Sequence, residues 1–180
     1  MPRASRKPFR YSRIDVPVTA LNTVDLSDVT VKKTVTASVT APNETYSFAF
    51  AYKSLEPTES ADKVDESKIP ALGPVTITTT SEGTAALGSV EFPYGGIYTY
   101  EVSETAGSTA GMTYATNKYT LKLYVEENED GDLELSKYFI YDENKDKCDS
   151  MEFENIYVPT NTLTDFINAC ACRQRPCAGF

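Results

Sequence analysis

The sequence predicts an all-β fold, a sandwich or a barrel, and three observations carry that expectation. Short stretches of alternating apolar and polar residues recur with turn signals between them, the pattern of such folds. The chain holds 12 Tyr and 8 Phe beside many Val and Thr, side chains that suit a pleated, half-buried surface. Ten Pro and nine Gly supply turns, and no stretch shows a convincing helical period. A length of 180 residues fits one domain with tails.

The elements follow in order. Residues 1–23 read as a disordered basic leader: Arg3, Arg6, Lys7, Arg10 and Arg13 are followed by no apolar core, so the start does not read as a signal peptide. The first strand is 29–35. The second is 46–52, where Tyr46, Phe48, Phe50 and Tyr52 alternate with Ser47, Ala49 and Ala51. Residues 55–72 form a long polar loop with room for a short helix. Strands at 75–80 and 89–92 flank a turn at Ser81-Glu82-Gly83. Gly95-Gly96 turns the chain into a strand at 97–104, and 106–111 is a loop of small residues. Strands at 119–126 and 133–141 enclose Asn128-Glu129-Asp130-Gly131-Asp132, a hairpin signal because Asp-Gly tolerates positive φ. The last strand is 151–157.

Composition excludes several functions. The net charge is −9. Residues 1–13 hold five positive charges and no negative one, so residues 14–180 carry −14 and would repel phosphate, which argues against nucleic-acid binding. There is no histidine, which removes the commonest general base, the usual nucleophile pairs and the usual zinc ligand. Cys148 is alone in the body, and Cys170, Cys172 and Cys177 do not make a recognised zinc spacing. No metal and no cofactor are expected. No run is long and apolar enough to span a membrane.

Three polar residues fall on apolar strand faces. In 29–35, Val29, Val31, Lys33 and Val35 share a face, while Lys32 points the other way with Thr30 and Thr34. In 97–104, Glu104 extends the face of Tyr98, Tyr100 and Val102, and Glu101 lies opposite. In 151–157, Asn155 stands between Phe153 and Tyr157. Each residue alone has an ordinary reading: a strand-end Lys snorkels, a strand-end Glu meets solvent, an Asn bonds backbone. An amine, a carboxyl and a carboxamide together in one apolar core have a specific chemistry. Desolvation favours a neutral, nucleophilic amine and a protonated carboxyl that can donate to the amide oxygen. Attack of the amine on the Asn side-chain carbon expels ammonia and leaves a Lys–Asn isopeptide bond, with proximity supplying much of the acceleration.

The segments Val29-Thr30-Val31-Lys32-Lys33, Tyr98-Thr99-Tyr100-Glu101-Val102-Ser103-Glu104 and Phe153-Glu154-Asn155-Ile156-Tyr157 resemble the isopeptide-linked domain of Gram-positive, streptococcal-type backbone pilins. Gly111-Met112-Thr113-Tyr114 before Tyr119-Thr120-Leu121 fits the same pattern. The resemblance covers about residues 28–160 and extends to the collagen-adhesin B-type domains of surface proteins. It implies an immunoglobulin-like sandwich of about 7–9 strands over 24–158, between disordered tails. It also places the reactive lysine on Lys33, the catalytic glutamate on Glu104 and the asparagine on Asn155, the residues that alternation selects.

The resemblance extends to the C-terminus. Val158-Pro159-Thr160 is similar to the family's sorting motif, with Asn161 where the family has Gly. It implies cleavage after Thr160 by sortase, a transpeptidase, and transfer to a neighbouring pilin subunit or to peptidoglycan. Residues 159–180 then read as a sortase-motif-like segment with a degenerate or truncated tail. An acceptor lysine is expected just before the last strand, where Lys147 lies. The implied protein is a structural, cell-surface subunit, attached to the cell wall or built into a pilus. It is no turnover enzyme, because it is its own substrate. The alternative is an ancillary adhesin or ligand-binding module with the same fold, meeting a host surface ligand through the loop at 53–74.

Overall fold

Alternation of apolar and polar side chains resolves into twelve strands in the computed structural model, which describes residues 23–58 and 64–159. They are β1 (Thr23–Val24), β2 (Thr30–Ala37), β3 (Glu44–Pro57), β4 (Leu72–Thr79), β5 (Glu82–Ala86) and β6 (Val90–Glu91). The chain continues with β7 (Gly96–Thr105), β8 (Met112–Thr113), β9 (Lys118–Glu127), β10 (Leu133–Tyr141), β11 (Lys147–Cys148) and β12 (Met151–Tyr157). Six strands form one sheet in the order β11-β10-β9-β7-β3-β4, and four form another in the order β5-β2-β12-β8. A two-stranded ribbon, β1-β6, completes the set.

The two larger sheets pack as a sandwich. Phe48 of β3 meets Phe153 of β12 with ring centroids 5.0 Å apart, and Tyr119 of β9 stands edge-on to Phe153 at 5.3 Å. Val31, Val35 and Met151 from one sheet and Tyr46, Val102 and Leu121 from the other are buried in the same core. Aromatic pairs in offset or edge geometry add about 0.5–1.5 kcal/mol each beyond their buried area.

β2 and β12 run side by side and parallel, with Phe153 beside Lys33 and Asn155 beside Val35. The first long strand and the last are thus neighbours in the middle of one sheet. Every other pairing among the described residues is antiparallel.

The structure adjusts the sequence reading at several points. β3 runs on to Pro57, with register shifts at 48–50 and 52–54 that keep long, irregular strands paired. The expected polar loop is shortened accordingly, and its helix is one 3₁₀ turn, Glu66–Lys68, capped by the Asp65 side chain. Glu82 and Gly83, expected to turn, open β5 instead. A side chain at Gly83 would collide with Ile77 of β4, so glycine is what lets β5 approach. The two-residue strands β1, β6, β8 and β11 are too short for alternation to reveal. Thr23, expected in the leader, pairs with Glu91. Residues 1–22 and 160–180, where the disordered tails, Thr160 and three of the cysteines were expected, lie outside the described residues. Among the described residues no helix is long and apolar enough to cross a membrane.

Candidate functional site

Lys33 and Asn155 project inward from adjacent strands of the four-stranded sheet, and Glu104 projects inward from β7 of the facing sheet. Lys33 and Asn155 are fully buried, and Glu104 is nearly so. Because Phe153 lies beside Lys33, Asn155 is the diagonal neighbour of Lys33 across the parallel pair, within reach of a long side chain. The distance between sheets is spanned by the lysine.

Glu104 bridges the other two. Lys33 Nζ donates to its Oε2 at 2.8 Å, and Asn155 Nδ2 donates to its Oε1 at 2.7 Å. The third polar atom, Asn155 Oδ1, accepts a hydrogen bond from the backbone N–H of Ala115 at 2.7 Å. A backbone N–H can only donate, so this contact fixes which end of the amide is oxygen. The geometry corrects one expectation. Glu104 faces the amide nitrogen, not the amide oxygen; the oxygen is held by Ala115.

Burial holds the Lys33 amine below its ordinary 10.5, against the opposing pull of the Glu104 carboxylate bonded to it. The ammonium stands 4.8 Å from the centroid of the Tyr46 ring, a cation–π contact that offers some return for lost water. The Tyr46 hydroxyl is pushed up to about 12, mainly by burial and then by Glu44. Opposite Lys33 on the other flank, the residue of β5 is Gly83.

The neighbours on the outer faces behave as ordinary surface groups. Lys32 pairs with Glu152 at 3.5 Å, both about half exposed. Glu101 pairs with Lys53 at 3.3 Å and with Lys118 at 3.2 Å, which holds its carboxyl below the usual range. Exposed pairs of this kind contribute about 0–1 kcal/mol.

The other candidate residues lie apart from this cluster. Val158 follows β12 and is exposed, its N–H donating to Gly111 O at 2.8 Å, and Pro159 is half-buried. Thr160 is outside the described residues. Lys147 is exposed on the edge strand β11, its ammonium 4.2 Å from the centroid of the Phe139 ring. Among the described residues no cluster of His, Cys, Asp or Glu could hold a metal ion. Sequence reasoning missed Ala115, because a backbone donor has no side-chain signature. It also left Tyr46 as plain core, although its place as the first inward aromatic of its strand was legible.

Residues 29–158 match the family described as FctA: Spy0128-like isopeptide containing domain. Among solved structures, the major pilin from Streptococcus pyogenes is 20% identical, with a TM-score of 0.57, over 72% of this chain and 50% of that one. The major pilin protein T3.2 from the same organism is 23% identical, with a TM-score of 0.58, over 76% of this chain and 54% of that one. The T-13 major pilin is 19% identical, with a TM-score of 0.53, over 72% and 51%. The chain thus spans about half the length of these structures, and at such identities the likeness is one of fold. No curated protein sequence matches the chain.

Proposed function

Because the chain belongs to the family of Spy0128-like isopeptide-containing domains, we propose that it is a pilin-like structural subunit of a Gram-positive cell surface, locked by one self-formed bond between Lys33 and Asn155. Glu104 promotes the reaction. The observation that carries this reading is the buried bridge of Glu104 between the amine and the amide nitrogen.

The chemistry follows from that bridge. Shifting one proton from Nζ to Oε2 leaves a neutral amine beside a neutral carboxyl and moves no net charge into the core. The amine attacks Cγ of Asn155 and forms the new C–N bond. Glu104 takes a proton on the side of the incoming nitrogen and delivers one to Nδ2 on the side of the leaving nitrogen. Nδ2 departs as ammonia, and the remaining mobile proton stays on Glu104. The carboxyl is a proton shuttle whose two oxygens already face the two nitrogens, as general acid–base catalysis requires. Holding the reactants together makes the attack intramolecular.

The domain itself is 24–158, with 159–180 as a sorting segment. Sortase cleavage at Thr160 and acceptance at Lys147 would join subunits to one another or to peptidoglycan. The site is used once per molecule, so the protein is a product of its own chemistry and not a turnover enzyme.

Intact-protein mass tests the reading. The folded chain should weigh one ammonia less than its sequence. Lys33→Ala, Glu104→Ala and Asn155→Ala should each retain the full mass. A well-folded wild-type chain at full sequence mass would sink the proposal.

A further inference from the structure

We infer that the backbone N–H of Ala115 is the donor that stabilises the oxyanion formed in the cross-linking reaction, and that Tyr114 and Glu44 are the residues that position it. The inference rests on the Lys33–Asn155 bond proposed above and assigns a role that no side chain of the cluster fills.

When the Lys33 amine adds to Cγ of Asn155, the C=O bond opens and its electron pair moves onto Oδ1. Negative charge develops there until the C–N bond to Nδ2 breaks and the carbonyl re-forms. In a dry core, that charge needs a donor aimed at it in advance. Glu104 is committed elsewhere, with Oε2 at Nζ and Oε1 at Nδ2. The only donor the described structure places on Oδ1 is Ala115 N–H, at 2.7 Å. Its aim cannot drift with a rotamer, because it belongs to the backbone.

Something must then hold that stretch of backbone. β8 pairs with β12 through only two residues, Met112 and Thr113, and ends just before the donor. The adjacent residue supplies the anchor. Tyr114 Oη donates to Glu44 Oε1 at 2.6 Å and accepts from Thr109 N–H at 3.1 Å. Glu44 opens β3, so the anchor ties the 109–115 segment across to the other sheet. Gly107 closes over it: a side chain there would collide with both Tyr114 Oη and Glu44 Oε1. The second oxygen of Glu44 is buried with no partner among the described residues.

The test removes that N–H while keeping every side chain. Full-length chain is produced with lactic acid in place of Ala115, so that an ester replaces the amide. Unlinked chain is purified in denaturant and refolded, and ammonia loss is followed by intact mass while circular dichroism follows folding. The ester variant should fold at the wild-type rate and cross-link about 10²- to 10³-fold more slowly, the effect of losing one such donor. Tyr114→Phe, which keeps the N–H, should slow cross-linking by a smaller factor, and Gly107→Ala likewise. Cross-linking of the ester variant at the wild-type rate would overturn the inference and leave the bond itself standing. A wild-type chain that never loses ammonia would instead remove the reaction on which the inference depends.

A second measurement covers the case of an ester chain that does not fold. In Lys33→Met, which cannot cross-link and keeps the native backbone, hydrogen exchange at Ala115 N–H should be slow. It should quicken at least tenfold when Asn155→Ala is added. Equal exchange in the two proteins overturns the assignment.

Discussion

Two adjacent lysines with the same intrinsic chemistry end up with opposite fates. Lys32 lies on the outer face against Glu152, and Lys33 is fully buried against Glu104. Lys32→Ala should still lose one ammonia and keep its stability within about 0.5 kcal/mol of wild type, whereas Lys33→Ala should keep its full sequence mass. Burial also makes a pH signature. The folded amine sits below 10.5, so the folded chain holds fewer protons at this site than the unfolded chain. Stability attributable to Lys33 therefore rises with pH through the window between its lowered folded value and 10.5. The comparison uses a background that cannot cross-link: Asn155→Ala against the same protein with Lys33→Met, each unfolded in urea across that window. A difference that stays flat with pH would show that burial does not depress the amine. Facing was legible here from period-two alternation alone. The direction of the Asn155 amide was not, because it is set by a backbone N–H forty residues away.

At the scale of elements, β12 carries both the site and the pins that hold its register. Phe153 is packed between Phe48 and Tyr119 and lies beside Lys33 on the parallel ladder. A slip of one residue would turn Phe153 and Asn155 outward together. Phe153→Ala should destabilise the domain by about 3–5 kcal/mol, measured by denaturant titration, and should also leave a fraction of chains at full mass. Complete cross-linking in that variant would mean that other contacts fix the register. The long strands were legible, and β10 and β12 match their expected bounds. β5 was not, because Glu82-Gly83 has the composition of a turn. What makes it a strand is its antiparallel ladder with β2, from Thr30 beside Ala86 to Thr34 beside Glu82, which only the packed structure supplies.

For the molecule as a whole, the parallel pairing of β2 and β12 determines how force enters. Tension between the N-terminal side of β2 and the C-terminal side of β12 shears one ladder, from Met151 beside Val31 to Tyr157 beside Ala37. The proposed Lys33–Asn155 bond would cross that ladder near its middle and enclose nearly all of the domain in a covalent loop. By analogy with disulfide loops of this length, closure stabilises by about 5 kcal/mol. Wild type and Asn155→Ala, compared by thermal and denaturant unfolding, should differ by at least that amount. Pulled by the ends in a single-molecule experiment, Asn155→Ala should give an unfolding step, and the linked chain should give none for residues 34–154. An unfolding step of the same length in the linked chain would place the force path elsewhere.

The sequence by itself determined the strand class, the inward facing of Lys33, Glu104 and Asn155, and the order of the elements that carry them. These are local properties: alternation and turn chemistry act over a few residues and need no knowledge of partners. The tertiary structure alone decided that β2 and β12 are parallel neighbours and that β7 faces them from the opposite sheet. It also decided that Glu104 meets the two nitrogens while Ala115 holds the oxygen. Those facts depend on contacts between segments more than fifty residues apart, and on a backbone donor that no side-chain pattern encodes.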